Sequence, residues 1–324
     1  MSLLIKIKES ISSELQEFNM QFATAFDTAN PILSSIHKYI LDGDRKQLRP
    51  IVTILCAKLC GHINGNTYKS AVALELLHTA SIIHDDVVDD TNERRGHKSV
   101  NARWSNKIAV LTGDYLLSKA LEVAINTDNM NILHEIAHIG IELSDGEIKE
   151  LSNTEKSMLS EENYYEIIRE KTAILFSECA VIGGYSMNTE ETTIQIFRKY
   201  GEYLGLCFQI KDDIFDYFSD MEIGKPTGND LQDGKITLPL IFALQNADEN
   251  ERNQMLKIIN NKAFTAQNIE KIMHFAQNSG GIQYAEQKMA QFGQNAIDAL
   301  SIFPQSNTKQ ALIDCVLFAC QRNK

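Results

Sequence analysis

Two groups of aspartates with one spacing stand out as residues that could do chemistry. They are Asp85, Asp86 and Asp89, and Asp212, Asp213 and Asp216. On a helix, at about 100° per residue, each group lies within an arc of about 100°. The residues inside each group, Val87 and Val88 or Ile214 and Phe215, are apolar and cannot solvate the carboxylates. Because like charges repel and buried carboxylates are costly, the pattern indicates a compensating cation.

Oxygen ligands of this kind select a hard cation, and Mg²⁺ commonly shares its sites with substrate phosphates. Two opposed acidic faces could therefore hold several Mg²⁺ ions with a diphosphate between them. The alternative is a pair of solvated acidic helix ends, which two identical groups on apolar helices disfavour. A histidine-ligated metal is also disfavoured, since His84 lies about 100° from Asp85. Asp90 lies off the arc and is interpreted either as solvated or as supporting the metal ligands without binding the metal.

Cationic residues flank both acidic groups in the sequence. They are Lys46, Arg49, Arg94, Arg95, Lys171, Lys225 and Lys235. Arginine suits bidentate phosphate contacts and lysine suits point contacts. Any one of these residues alone would be interpreted as a solvated charge. Their position beside both acidic groups favours an anionic ligand such as a diphosphate.

The composition limits the class of protein. The chain has 324 residues, a net charge of −12 and 44% hydrophobic residues, which argues against a nucleic-acid-binding protein. None of the six cysteines forms a CxxC pair, so reduced thiols in a cytoplasmic protein are expected. The N-terminus lacks the apolar core of a signal peptide, and no apolar run is long enough to span a membrane.

The elements expected around these residues are almost all helices. Only five prolines occur, and strand-like alternation is nearly absent. The acidic groups end two helices that are apolar all round and therefore buried, at about 67–91 and 190–219. Further helices are expected in 1–40 (one or two, with Pro31 opening the second), 107–125, 130–153 and 161–186, with loops at 43–50, 94–106 and 220–237. We predict an all-α fold, and the length allows about two domains or one large helical domain.

With these residues in place, the chain resembles the trans-type polyprenyl diphosphate synthases. The resemblance covers residues 43–240 in order. It is carried by LLHTASIIHDDVVDDTNERRG (76–96), GDYLL (113–117), KTA (171–173), FQIKDDIFDY (208–217), GKPTGNDLQDGK (224–235) and TLPL (237–240). It implies the isoprenoid synthase fold, in which residues 1–324 form a single domain built as a helical bundle around a deep central cavity. It also implies a homodimer.

The resemblance also implies metal ligands. Asp85 and Asp89 would bind Mg²⁺ on one side of the cavity, with Asp86 supporting them. Asp212 would bind Mg²⁺ on the other side, while Asp213 and Asp216 would act mainly through water. Three ions are expected when substrate is bound.

The implied substrates are isopentenyl diphosphate and an allylic diphosphate. Lys171, Lys225, Lys235 and Arg94 would hold the allylic diphosphate. Lys46, Arg49, His78 and Arg95 would hold isopentenyl diphosphate. Thr172 and Gln209 would place oxygen dipoles near the developing allylic cation. The implied reaction is ionisation, condensation and elimination, with the proton passing to the departing diphosphate.

The sequence departs from the family pattern at three places. Asp44 and Arg45 stand where the family often has two glycines before Lys46, and Glu150 stands where it commonly has glutamine. Lys211 precedes the second acidic group where a neutral residue is more usual, and it could screen Asp212 or point outward.

Two small residues predict the product length. Ala80 and Ser81 lie five and four residues before Asp85, about one helical turn below the expected metals. In the resembled family, aromatic residues there close the tunnel, so the small residues favour a product of six to ten isoprene units.

Three other functions compete with this interpretation. A non-catalytic subunit would be expected to have lost acidic residues, whereas both groups are complete here. A class I terpene cyclase would not need the second diphosphate site that Lys46, Arg49 and Arg95 suggest. A purely structural helical protein would gain no stability from Mg²⁺ and diphosphate. Peripheral membrane contact during release of a long product is a further expectation.

Overall fold

The computed structural model describes residues 3–43, 46–94, 96–152, 159–218 and 228–322. The N-terminal helices are α1 (Leu3–Ser10), α2 (Ser12–Ala25), α3 (Pro31–Asp42), α4 (Leu48–Cys60) and α5 (Gly65–Val88). Residues 1–40 thus hold more helices than the one or two expected. Pro31 does open a helix, and the Asn30 side chain caps it by accepting from the backbone N–H of Ile32 at 3.0 Å.

The middle and C-terminal parts of the chain continue as helices. The middle helices are α6 (Val100–Arg103), α7 (Asn106–Ile125), α8 (Met130–Ser152), α9 (Glu161–Ile168), α10 (Ile174–Tyr185) and α11 (Glu191–Phe215). The C-terminal helices are α12 (Asn229–Gln232), α13 (Leu238–Asn246), α14 (Glu249–Asn260), α15 (Ala266–Asn278), α16 (Gly281–Ala299) and α17 (Asn307–Gln321). A 3₁₀ turn, Leu300–Ile302, joins the last two. The all-α prediction is confirmed.

The predicted loop at 94–106 is wrong, because the segment is ordered by a small hairpin and a short helix. Strands β1 (Glu93–Arg94) and β2 (His97–Lys98) pair antiparallel, and α6 follows. Gly96 supplies the positive φ of 77° that the turn needs. The polar composition of the segment concealed this structure, since both strands are exposed.

The predicted helix at 161–186 is interrupted at a position that carries chemistry. Arg169–Ala173 is π-helical and joins α9 to α10. Single π-helical turns inside α-helices recur at functional sites. Glycines on both sides let neighbours approach it: a Cβ on Gly146 would meet the Glu170 Cβ at 2.9 Å, and a Cβ on Gly205 would meet the Ala173 Cα at 2.4 Å.

The two long buried helices occupy the centre of the structure, as the sequence predicts. Helix α5 packs against α4, α7 and α10, and α11 packs against α10 and α16. Their buried side chains belong to one hydrophobic core that runs from α1 to α17. Because α10 touches both long helices, it sets how they lie relative to each other. No helix in the described part of the chain is long and apolar enough to cross a membrane.

Candidate active site

Both acidic groups lie where a helix ends. Asp89 is the residue after α5, and its N–H donates to the Asp85 carbonyl at 2.8 Å; Asp216 is the residue after α11. The carboxyl end of a helix carries partial negative charge, which disfavours further negative charge there. The fold therefore adds to the repulsion that the sequence already implied.

In the first group, the middle aspartate is held apart from its neighbours. Asp86 is 3% exposed, and Arg94 Nε from the hairpin donates to its Oδ1 at 2.6 Å. Asn101 donates to the Asp86 carbonyl at 3.1 Å. The hairpin thus supplies the cation that allows Asp86 to be buried.

Asp85 experiences a different environment from Asp86. Burial and the nearby Glu147 carboxylate together raise the pKa of Asp85 to about 6, while Lys171 and Arg94 oppose the shift. Glu147 Oε1 is buried and has no hydrogen-bond partner among the described residues. These carboxylates are short of positive charge.

Two predicted diphosphate-binding lysines lie beside this group. Lys171 Nζ lies 2.7 Å from Glu147 Oε2 and 2.5 Å from Glu150 Oε2. Lys235 Nζ lies 3.9 Å from Glu150 Oε2 and 4.0 Å from Asp89 Oδ2. Glu150 therefore binds both ammonium groups.

The second group is held by neutral donors at its centre. Asp213 is 3% exposed and accepts from Tyr164 Oη at 2.5 Å and from Gln209 Nε2 at 2.7 Å. Thr172 Oγ1 donates to Gln209 Oε1 at 2.7 Å, so the two predicted dipolar residues form one chain of hydrogen bonds. Burial raises the pKa of Asp213 to about 7, against the effect of its two donors.

The outer members of the second group have charged neighbours. Arg322 Nη2 lies 3.0 Å from Asp212 Oδ1, and Asp216 Oδ2 accepts from the Asp230 N–H at 3.2 Å. Lys211 Nζ lies 4.8 Å from the centre of the Phe215 ring.

One pocket gathers Lys46, Arg49 and His78, which are predicted to hold isopentenyl diphosphate, and Asp86 of the first acidic group also lines it. Its walls include Lys46, Arg49, His78, Arg94 and Phe208. Arg94, predicted from the resemblance to hold the allylic diphosphate, also lines this pocket, and both Arg94 and Lys171 lower the pKa of Asp85. Ala80 is 3% exposed on α5, and Ser81 next to it donates to the His78 carbonyl at 2.9 Å.

Some predicted positions lie outside the described residues. They are Arg95, Lys225 and the departure at Asp44 and Arg45. Sequence reasoning also missed residues that the fold brings to the acidic groups: Glu147, Tyr164, Asp230 and Arg322. Glu147 lies one turn before Glu150, so the sequence held a signal for it. Arg322 had none, because it belongs to the motif-free end of the chain.

A third cluster of possible ligands lies elsewhere. Ligand atoms of Glu135, His138 and Glu178 lie within 4.8 Å of one another. Arg198 binds both carboxylates, at 2.9 Å for Glu135. Glu135 precedes Glu147 by twelve residues of α8, about 18 Å along the helix. The guanidinium compensates this cluster, so we do not group it with the two aspartate groups.

The two aspartate groups fit a hard divalent cation. They offer only oxygen ligands, and the raised pKa values of Asp85 and Asp213 together with the orphaned Glu147 Oε1 show an unmet demand for positive charge. Lysines beside the carboxylates suit a phosphate. An all-α bundle with such a site defines a class of enzymes that act on diphosphates with a divalent metal.

Comparison with known proteins identifies the family. The polyprenyl synthetase family model matches residues 30–276. An all-trans-nonaprenyl-diphosphate synthase (geranyl-diphosphate specific) of Rhodobacter capsulatus is 36% identical over 293 residues, 90% of this chain and 89% of that protein. The chain belongs to the polyprenyl synthetase family and is a trans-prenyltransferase, an enzyme of isoprenoid biosynthesis. The family is magnesium-dependent in general.

Solved structures agree with this assignment. A Caulobacter crescentus polyprenyl synthase complexed with calcium and isoprenyl diphosphate has a TM-score of 0.93 and 29% identity, covering 99% of this chain and 98% of that one. A geranylgeranyl pyrophosphate synthase from Bacteroides thetaiotaomicron has a TM-score of 0.86 and 39% identity, with 99% of each chain covered. The expected isoprenoid synthase fold is confirmed.

Proposed function

We propose that the chain condenses isopentenyl diphosphate with an allylic diphosphate to make an all-trans polyprenyl diphosphate of six to ten isoprene units. The observation that carries the proposal is the pair of aspartate groups with Lys171 and Lys235 beside the first, adjoining a basic pocket that Asp86 also lines. Two anion sites match two diphosphate substrates.

Lys171 and Lys235 bind and orient the allylic diphosphate. Both ammonium groups are mostly buried, and nearby carboxylates raise the pKa of each despite the opposing effect of burial, so both stay charged. When bound, Mg²⁺ supplies the additional positive charge that turns the diphosphate into a leaving group. Asp85, Asp89 and Asp212 would be its direct ligands, with three ions in the substrate complex, while Asp213 and Asp216 would act through water and Asp86 would support the first group.

The second substrate occupies the pocket of Lys46, Arg49 and His78. Arg94 and Lys225 would help to hold the allylic diphosphate, and Arg95 would help to hold isopentenyl diphosphate. After ionisation, the double bond of isopentenyl diphosphate attacks the allylic cation, a carbon–carbon bond forms, and a proton leaves to the departing diphosphate. Thr172 Oγ1 and the Gln209 amide, fixed to each other and to Asp213, supply dipoles near the cation. Apolar side chains around the cavity exclude water that would capture the allylic cation.

The proposed product length depends on the small side chains of Ala80 and Ser81. Ser81 lies about 6 Å along α5 from Asp85, and Ala80 is adjacent. Their small side chains leave room for a growing chain, and the nonaprenyl synthase similarity supports a long product. The similarity to a geranylgeranyl pyrophosphate synthase makes a four-unit product the alternative to exclude.

The test is incubation of the purified chain alone with radiolabelled isopentenyl diphosphate and primers of several lengths, followed by product chromatography. We expect Mg²⁺-dependent products of six to ten units from the native chain, and shorter products from Ala80→Phe, because an aromatic ring would block the tunnel. A four-unit or shorter native product refutes the length. Absence of elongation by the chain alone refutes the catalytic role.

We also propose that residues 1–324 form one catalytic domain and that two copies associate. Apolar side chains exposed on two adjacent helices support this association. Val110, Leu111 and Leu117 lie within about 120° on α7, and Ile141 and Ile148 lie on one face of α8. Sedimentation equilibrium should give twice the chain mass of 36.5 kDa. A single-chain mass at micromolar concentration would contradict it.

A further inference from the structure

Arg322 is buried although it follows the last helix of the chain. Its side chain is 3% exposed. The backbone leaves α17 in an extended conformation (φ −59°, ψ 145°), while its N–H still donates to the Phe318 carbonyl at 3.0 Å. Burying a guanidinium is expensive unless its partners repay the lost hydration. The partners of Arg322 therefore indicate its role.

Those partners belong to a single turn of α11. Nη2 donates to the Phe208 carbonyl oxygen at 2.8 Å and lies 3.0 Å from Asp212 Oδ1. Residues 208 and 212 are one helical turn apart, so one nitrogen braces the turn that starts the second aspartate group. The Asp212 side chain is 37% exposed, which leaves it rotamer freedom that this contact removes.

The same guanidinium also stacks on aromatic rings. Its Cζ lies 3.8 Å from the centre of the Phe208 ring, which lines the basic pocket. The ring centres of Phe208 and Phe176 lie 5.2 Å apart, and Arg49 Cζ lies 4.8 Å from the centre of the Phe176 ring. A continuous series of cation–ring and ring–ring contacts thus connects Arg322 to the proposed isopentenyl diphosphate pocket.

We propose that Arg322 is a positioning residue that fixes Asp212 and Phe208, so that the end of α17 completes the active site. The inference rests on the proposed function, since it takes Asp212 to be a metal ligand. A carboxylate fixed before binding loses less conformational entropy when it engages a cation. A fixed Phe208 keeps its part of the wall of the basic pocket in shape.

In the experiment, Mg²⁺ is titrated into the full chain at a fixed concentration of inorganic pyrophosphate. Calorimetry measures the half-saturating Mg²⁺ concentration. We expect Arg322→Ala to raise the half-saturating Mg²⁺ concentration about tenfold, the effect of losing one charge-assisted hydrogen bond. The half-saturating Mg²⁺ concentration of Arg322→Lys should lie between those of the native protein and Arg322→Ala, because an ammonium gives a point contact without the planar stacking surface.

The control is Lys309→Met on the same helix. Lys309 is 5% exposed and donates to the Phe303 carbonyl at 2.8 Å, within the first turn of α17. The Lys309→Met substitution should lower the melting temperature of the ligand-free protein without changing the half-saturating Mg²⁺ concentration. An equal change in Mg²⁺ requirement in Lys309→Met and Arg322→Ala would show that Arg322 only anchors the helix, which overturns the inference.

The double variant with Asp212→Asn separates the inference from the function on which it rests. If Arg322 acts through Asp212, Arg322→Ala should add almost nothing to the Mg²⁺ defect of Asp212→Asn. Weak Mg²⁺ binding in Asp212→Asn with normal or tighter binding in Arg322→Ala overturns the positioning role alone. Normal Mg²⁺ binding in Asp212→Asn overturns the metal role of Asp212 and the inference with it.

Discussion

The two aspartate groups have the same spacing but are held by different means. In each, the middle residue, Asp86 or Asp213, is 3% exposed. Asp86 is bound by a guanidinium from the hairpin, whereas Asp213 is bound by the neutral donors Tyr164 and Gln209. The outer residues of both groups are more exposed.

The difference distinguishes, within each motif, a buried aspartate that binds partners in the protein from two aspartates that are more exposed. The outer pairs are four residues apart and lie on the same side of their helix. The middle residues point to partners in the protein, which fix the helix ends. The first group has lysines nearby to share with an anion, while the second is tied into the hydrogen-bond chain that ends at Thr172.

The largest effect should come from removing an outer carboxylate. Asp85→Asn and Asp212→Asn should each lower kcat by about 10²–10³, comparable to loss of one electrostatic contact in a transition state. The ligand-free protein should melt at the same or a higher temperature after Asp85→Asn, because a buried like charge is removed. Steady-state kinetics with circular dichroism measures both effects.

Asp86→Asn is the matched comparison for that prediction. It should cost less in kcat and more in stability, since Arg94 loses its buried charged partner. If Asp86→Asn matched Asp85→Asn in kcat at native stability, the division into anchors and ligands would be wrong.

A smaller effect is expected at Glu150, which is specific to the first group. Glu150→Gln should lower the KM for the allylic diphosphate about threefold, the size expected for one weak ion pair. The carboxylate competes with the diphosphate for Lys171 and Lys235. The KM should change while kcat stays nearly constant. An increased KM would mean that Glu150 helps to bind the substrate.

The smallest effect on catalysis should come from Glu178, a buried carboxylate outside both groups. Burial and Glu135 raise its pKa to about 9, against Arg198. The folded protein keeps this proton after the unfolded chain has lost it, so stability falls as pH rises from the ordinary value of 4.5 toward 9.

Glu178→Gln should remove that dependence. As pH rises across this window, the free energy of unfolding of the variant minus that of the native protein should increase. The increase should be at most about 1.4 kcal/mol per pH unit. Urea unfolding at pH 5.5 and pH 8 measures the difference, and kcat should be unchanged. A constant difference between the two pH values would show that Glu178 is ionised throughout.

The sequence by itself determined the all-α fold, the two buried helices and the aspartate groups at their ends. These features are local: helical periodicity, low proline content and the D-D-x-x-D spacing are all read along one segment. The conflict between apolar helices and clustered carboxylates also required no tertiary information, because it depends only on charge and burial.

Only the tertiary structure decided which aspartates are buried against partners in the protein and which are more exposed. Arg94 reaches Asp86 because an unexpected hairpin turns back over α5, and Lys171 reaches Glu147 and Glu150 because a π-helical turn meets α8 at Gly146. Arg322 reaches Asp212 across 110 positions of sequence. Such contacts depend on the packing of distant helices, and no spacing along the chain encodes them.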